Sequence, residues 1–224
     1  MIAIKRETAK VYQELLANPH LRQFVDSSLE IPKTFPEIFS TEEIRIIILG
    51  QDPTVKNQKS RAKITTVLNL DRAGSLHKYL DGICKGLEID LDKNVYATNC
   101  LKNFFIKPPT QIKEDDVVEK FARIWLPLLR EELAQFDNVP IITLGQPVLS
   151  IIIRENASKY VRDYWGYNDD WKTGKTLPFR YIKSDDNVLN RVIFPFPHQP
   201  SINKKFYCAR LKDYVAFVKQ TISN

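Results

Sequence analysis

Four short apolar segments recur along the chain, and each has the pattern of a buried β-strand. The first, residues 44–50, contains four isoleucines and a leucine and stops at a glycine. A strand that is apolar on both faces is typical of a parallel sheet with helices on both sides. The other three segments are residues 94–100, 139–145 and 192–197.

Segments with helical spacing of apolar residues separate these strands: 7–24, 77–91, 114–136, 145–154 and 204–222. We expect Pro19 to break the first helix and Pro127 to kink or split the third. Strands that alternate with helices predict an α/β fold, a three-layer α/β/α sandwich with a four-stranded parallel central sheet. We expect a single domain over residues 1–224.

Two stretches are less regular. Residues 64–71 are short and β-branched, and we expect them to run beside the ligand pocket. Residues 160–181 are polar and aromatic, and the pattern predicts only loop or short strands there. We interpret Trp165 and Trp171, which lie in this second stretch, as a local aromatic core rather than as a surface for a partner.

Composition is ordinary for a soluble globular protein, with 43% hydrophobic and 27% charged residues. The net charge of +6 and the pI near 9.1 suit an anionic partner without proving one. No segment approaches the roughly 18 apolar residues of a membrane span, and the first residues lack a signal-peptide core. We therefore expect no membrane association and a cytoplasmic protein.

Cysteine and histidine usage points away from metals and disulfides. The three cysteines are scattered and odd in number, which predicts neither a disulfide framework nor a Cys-x-x-Cys site and fits a reducing cytoplasm. The three histidines are His20, His77 and His198, and no two have metal-ligand spacing. We expect no metal and no cofactor, and we interpret His77 as an ordinary residue at a helix start.

Polar residues follow three of the four predicted strands. Gln51 and Asp52 follow the first, Asn99 ends the second, and His198 with Ser201 follows the fourth. The carboxyl ends of parallel strands meet at one edge of a sheet, where ligands bind. An acid, an amide and an imidazole suffice to hydrolyse a glycosidic bond to a base. Taken singly, each residue fits an ordinary turn or loop position, and only their joint placement favours a site.

Basic residues lie directly behind the first of these strand ends. Lys56, Lys59, Arg61 and Lys63 form a glycine-free stretch. This stretch fits either a solvated charged loop or a loop that grips phosphates.

Four motifs, taken in order, resemble the uracil-DNA glycosylase superfamily. They are GQDPT after the first strand, VYATNC, LGQPV, and PHQPS after the fourth strand, and the match covers residues 44–207. The resemblance implies that Asp52 positions the hydrolytic water, that Gln51 contributes contacts near the base, that Asn99 reads a pyrimidine edge and that His198 stabilises the leaving base. It also implies that Ser201 holds a phosphate, that Ile202 is the side chain wedged into the base stack, and that Lys204 and Lys205 grip the DNA backbone.

The chain also departs from the bacterial-type pattern. Thr54 stands where those enzymes have a tyrosine that excludes thymine, which implies a roomier pocket. Thr65 stands where they stack a phenylalanine on uracil, a contact worth roughly 1–3 kcal/mol per base. Gln199 is inserted beside His198 and would displace it from the base oxygen. Three scattered cysteines argue against the iron–sulfur branch.

The leading interpretation is a monomeric, monofunctional DNA glycosylase that releases uracil or a related deaminated base from DNA without a metal. A catalytically silent relative that binds nucleic acid is the alternative, and Thr65 and Gln199 favour it. A third interpretation is a hydrolase of free nucleosides or nucleotides. The basic residues at 56–63 and 204–210 argue against this last class, because a small substrate needs fewer phosphate contacts.

Overall fold

The computed structural model describes residues 2–223, with side chains described from Ile4 onwards. It confirms the predicted three-layer α/β/α sandwich around a four-stranded parallel sheet. The strands are β1 Ile46–Gly50, β2 Val95–Asn99, β3 Ile141–Leu144 and β4 Ile193–Phe196, in the spatial order β2-β1-β3-β4. Every strand residue is buried. This explains why the strands are continuous apolar runs rather than alternating ones.

The helical layers are built from four long helices and several short ones. They are α1 Ile2–Ala17, α2 Pro19–Arg22, α3 Gln58–Arg61, α4 Ser75–Gly86, α5 Leu91–Asn94, α6 Val117–Leu133, α7 Gln146–Ile152, α8 Val161–Tyr164, α9 Gln199–Ile202 and α10 Lys205–Ser223. In one layer α1 packs on α6, and in the other α4 packs on α10. The predicted break at Pro19 is confirmed, because α1 ends at Ala17 and the Asn18 side chain caps α2.

Pro127 neither splits nor ends α6, which runs unbroken for 17 residues. A proline inside a helix leaves the carbonyl four residues earlier without its partner. That carbonyl belongs to Arg123, and both Arg123 and Pro127 are exposed. Water can therefore satisfy the freed carbonyl, and the helix continues.

The helix predicted at 77–91 ends early in the structure. Helix α4 stops at Gly86, and Glu88 takes a left-handed backbone with φ 60° before α5 begins. The β-branched stretch 64–71 contains a tight turn, Val67–Asn69, whose central residue Leu68 has a non-helical backbone with φ 57°.

The aromatic stretch 160–181 contributes to the main core rather than to a separate one. Trp165 is fully buried, stacks on Tyr214 with ring centroids 4.3 Å apart, and donates from Nε1 to the Pro195 carbonyl at 2.7 Å. Trp171 is partly exposed and packs edge-on against Phe206. Among the helices of residues 2–223, none combines the length and apolar character needed to cross a membrane.

Two glycines of α4 test the packing of this helix on α10. A Cβ on Gly86 would lie 2.6 Å from Cγ1 of buried Val215, whereas a Cβ on Gly82 would meet nothing within 4 Å. We expect Gly86→Ala to lower the free energy of unfolding by about 1–3 kcal/mol through overpacking. Gly82→Ala should raise it by about 0.5–1 kcal/mol through helix propensity. Denaturant unfolding of both variants measures this, and equal stabilisation by the two would contradict the close α4–α10 contact.

Candidate functional site

The candidate site lies at the carboxyl ends of the strands, and the register of the sheet assembles it. In the β1–β2 pair, Gly50 lies directly opposite Asn99. The pairing continues one step beyond the strands, because the Cys100 and Leu101 amides donate to the carbonyls of Gly50 and Gln51 at 2.9 and 2.8 Å. Gln51 and Asp52 are thus fixed next to the end of β2.

A local hydrogen-bond pattern fixes the Asp52 loop. The Thr54 amide donates to Oδ1 of Asp52 at 2.8 Å, and the Thr54 hydroxyl oxygen accepts from the Phe105 amide at 2.8 Å. Thr54 therefore fastens the loop after β1 to the segment after β2, in addition to lining the pocket. The predicted effect of Thr54 on pocket size stays a prediction.

Asp52 is an unusual carboxyl. It is partly exposed to the cavity, but the protein packs densely around it, and burial raises the pKa of Asp52 to about 6 from 3.8. The Thr54 hydroxyl and amide and the Arg61 charge oppose this shift without cancelling it. Such a carboxyl changes its charge close to neutral pH, as a general base does.

His198 follows β4 and borders the same cavity. The residue is exposed, and its Cβ lies 3.2 Å from the position that a Cβ on Gly145 would take. Gly145 has φ 88° and directly follows β3. Partial burial of the imidazole lowers the pKa of His198 below its ordinary value. At neutral pH the ring is therefore uncharged and can donate one hydrogen bond.

Asp52 and His198 line one cavity of about 480 Å³. The residues that line it without having been assigned to a site from the sequence include Leu68, Arg72, Ser75 and His77. The last two belong to the first turn of α4, where within the described chain no side chain caps the helix. The free amides of that turn and the Arg72 charge make this rim electropositive. In the sequence, His77 had only the pattern of an ordinary residue at a helix start.

Thr65 lies away from the cavity. It is exposed, and its hydroxyl donates to Asp71 at 2.8 Å. Leu68 is the apolar side chain that reaches the strand ends instead, with its Cδ2 2.9 Å from the Cβ that an alanine at position 50 would carry. The assignment of Thr65 to the base-contacting position is therefore wrong in this conformation.

Asn99 is at the predicted strand end but is enclosed. It is 1% exposed, and neither polar atom of its side chain has a hydrogen-bond partner among residues 2–223. It contributes to the wall of a second cavity, of about 420 Å³, beside a buried network. In that network Lys102 donates to Glu132 at 2.5 Å and to Thr98 at 2.8 Å, and Tyr96 donates to Glu132 at 2.6 Å.

Arg61 is a structural residue rather than a phosphate ligand. It is 2% exposed, and its guanidinium pairs with Asp26 at 3.2 Å and donates to the carbonyls of Val55, Phe105 and Ile106. These contacts tie α3 to the segment that follows β2. The prediction that Arg61 contacts DNA is wrong, because its guanidinium is almost fully buried and is bonded to groups inside the protein. Lys56, Lys59 and Lys63 are exposed, as their predicted role requires.

The segment after His198 forms the short helix α9. Ile202 is 9% exposed and packs in the core, so it is not available as a wedge in this conformation, which corrects that prediction. Ser201 is partly exposed, and its amide donates to the His198 carbonyl at 2.7 Å. Gln199 is the first residue of α9, and Lys204 and Lys205 are exposed just beyond it.

Within residues 2–223, no group of three or more His, Cys, Asp or Glu side chains is placed to hold a metal ion. The three cysteines are free thiols, with Cys84 and Cys100 buried and Cys208 exposed. In comparisons with known proteins, no family model and no curated sequence matches this chain.

The raised pKa of Asp52 predicts a pH-dependent cost to stability. Between 3.8 and about 6 the folded protein holds a proton that the unfolded chain has released, so stability falls as pH rises through this window. Asp52→Asn keeps an oxygen for the Thr54 amide but carries no charge. It should raise the free energy of unfolding by about 1–3 kcal/mol above the folded pKa and have little effect at acid pH.

Denaturant unfolding at several pH values measures this difference, and Asp169→Asn at an exposed position is the matched control. A gain of the same size for both variants, or a gain for Asp52→Asn that is constant with pH, would contradict the desolvated carboxyl.

Proposed function

We propose that this protein is a monofunctional DNA glycosylase that hydrolyses the N-glycosidic bond of uracil or a related deaminated base in DNA. The observation that carries the proposal is the joint placement of a desolvated carboxyl and a neutral imidazole on one cavity at the strand ends. Asp52 has a pKa of about 6, and the pKa of His198 is lowered by burial.

The chemistry follows from these two charge states. Above pH 6 Asp52 is ionised, so its carboxylate orients a water molecule and stabilises the positive charge that develops on the sugar. His198 is neutral and donates a hydrogen bond to the base oxygen that gains negative charge as the bond breaks. Neither step requires a metal or a covalent intermediate.

Asn99 is proposed to read the base. An amide offers a donor and an acceptor side by side, which matches the N–H and C=O edge of uracil. Its two side-chain polar atoms have no partner among residues 2–223, and a buried polar group left unpaired is costly. A bound base would supply the missing partners.

The four motifs add support through their positions. GQDPT, VYATNC, LGQPV and PHQPS each end on or follow one strand of the sheet, and all four meet at its carboxyl edge. This arrangement is the one that the resemblance to the uracil-DNA glycosylase superfamily implies.

DNA is proposed to lie across the exposed lysines at this edge: Lys56, Lys59, Lys63, Lys204 and Lys205. The net charge of +6 favours the same kind of partner. We further propose that the protein acts as a monomer in the cytoplasm, where its free thiols stay reduced.

One observation favours a second function, a catalytically silent nucleic-acid-binding protein. Leu68 occupies the space over Gly50 beside Asn99, and Asn99 is 1% exposed. A base whose sugar lies beside Asp52 can reach Asn99 only if Leu68 moves, and a protein in which it never moves would bind DNA without cutting the glycosidic bond.

Base release from oligonucleotides carrying uracil, hypoxanthine, xanthine or a thymine mismatch tests the proposed reaction. We expect uracil release by the native protein, with a rate that rises with pH through about 6 as Asp52 ionises. Asp52→Asn should lower the rate by roughly a hundredfold or more, and His198→Ala by roughly tenfold to a thousandfold.

Asp169→Asn and His20→Ala, at exposed positions outside the cavity, are the matched controls. DNA binding without base release from any substrate would favour the silent binder. Release that survives in both site variants would reject the roles of Asp52 and His198.

We expect the loss of DNA affinity on replacing lysines to depend on where those lysines lie. Replacing Lys56, Lys59 and Lys63 together by glutamine should reduce the slope of log affinity against log salt by roughly 2 to 3. The control replaces Lys85, Lys93 and Lys219, which lie toward the opposite end of the sheet: Lys93 lies two residues before β2, and Lys219 pairs with Glu88. Equal losses for both triple variants, measured by fluorescence anisotropy, would show binding through charge alone and no defined face.

A further inference from the structure

The turn Val67–Asn69 separates the two cavities. Leu68 lines the cavity of Asp52 and His198, and Val67 lines the second cavity, to which Asn99 contributes. Asp52 and Asn99 come from adjacent strand ends but border different spaces. The proposed water-activating group and the proposed base-reading group are therefore divided by this one turn.

The leucine side chain covers the amide. An ideal Cβ on Gly50 would lie 2.3 Å from Oδ1 of Asn99 and 2.9 Å from Cδ2 of Leu68. Both side chains therefore converge on the same point above the last residue of β1. A base that meets Asn99 while its sugar stays beside Asp52 has to pass over Gly50, where the Leu68 side chain now lies.

Two features show that this closed arrangement is unfavourable locally. Leu68 and Asn69 have φ values of 57° and 53°, a left-handed backbone that a leucine adopts rarely. The Asn99 side chain has neither of its polar atoms paired within the described chain. A ligand that paired with the amide would relieve the second, and a rearrangement of the turn that moved the leucine aside would relieve the first.

We infer that Leu68 closes the base-recognition site and that a single-ring base with adjacent N–H and C=O groups enters by replacing its side chain over Gly50. The inference rests on the proposed function for the role of Asn99. It adds a role for Leu68 and an upper limit on the size of the base that the site accepts. A pyrimidine such as uracil has about the bulk of the leucine side chain that it replaces. A fused two-ring base with the same edge, such as hypoxanthine, is larger than that space.

Binding of free uracil tests this inference without requiring catalysis. The Leu68→Ala variant no longer has the competing side chain, so we expect it to bind uracil about tenfold more tightly than the native protein. Isothermal titration measures the affinity, and the NMR signals of the Asn99 side-chain amide, assigned by their loss in Asn99→Ala, should shift on binding. The native protein should bind hypoxanthine about tenfold more weakly than uracil.

Leu126→Ala is the matched control, since Leu126 is also partly buried but lies on α6. It should leave the uracil affinity unchanged. The double variant Leu68→Ala, Asn99→Ala should lose the gain, because the base then has no amide to meet. If Leu68→Ala fails to fold, Leu68→Gly applies the same test, since glycine suits a positive φ.

The outcomes separate this inference from the proposed function. Weaker or unchanged uracil binding by the folded Leu68 variant, or a gain that survives loss of Asn99, would overturn the inference even if the native protein releases uracil from DNA. Tighter binding with the Asn99 shift, together with no base release from any oligonucleotide, would sustain the inference and reject the glycosylase. Equal binding of uracil and hypoxanthine would overturn the size limit.

Discussion

The parallel pairing of β1 with β2 sets Gly50 opposite Asn99, and the rest of the site depends on this register. A side chain at position 50 would collide with the Asn99 amide at 2.3 Å, so the close approach requires a glycine. A shift of the register by one residue would turn Asn99 to the other face of the sheet and move Asp52 away from it. The buried strands hold the register, because every residue of both is enclosed by the protein.

The electrostatics of the site follow from the loops that this register positions. Asp52 is desolvated because the chain segments after β1 and β2 are fastened to each other, by Thr54 to Phe105 and by Arg61 to the Phe105 and Ile106 carbonyls. Arg61 also carries the positive charge that opposes the raised pKa of Asp52. Most of its hydrogen bonds are made to groups that hold the fold together. The buried Arg61 cation therefore offsets part of the free-energy cost of burying the ionised Asp52 carboxylate, but it does not remove that cost.

Sequence pattern was sufficient for the sheet and most helices, because burial on both faces leaves a continuous apolar run that few other structures produce. It also located Asp52, Asn99 and His198, since strand ends follow directly from the strands. The sequence pattern was not sufficient to tell whether an individual side chain lies in solvent or in the interior. Arg61 and Lys63 look alike in the sequence, but only Arg61 meets Asp26 and three carbonyls in the fold.

The same limit applies to Leu68 and Ile202. An ungapped count from the GQDPT motif leads to Thr65, but the left-handed backbone at Leu68 and Asn69 reverses the chain and brings the leucine over Gly50. No propensity predicts a positive φ at a leucine, so only the packed structure reveals it. Ile202 is an apolar residue after a strand, and sequence cannot say whether such a residue lies on the surface or, as here, in the core.

Three residues around Gly50 have a disfavoured backbone or a polar group that is incompletely satisfied. Leu68 has a disfavoured backbone, Asn99 a buried amide without a partner among residues 2–223, and Asp52 a desolvated carboxyl. All three lie around Gly50, whereas the buried polar network of Lys102, Glu132, Tyr96 and Thr98 nearby is paired. A core that satisfies its polar groups in one place and leaves them unsatisfied in the adjacent one is typical of a binding site, where a ligand completes the hydrogen bonds.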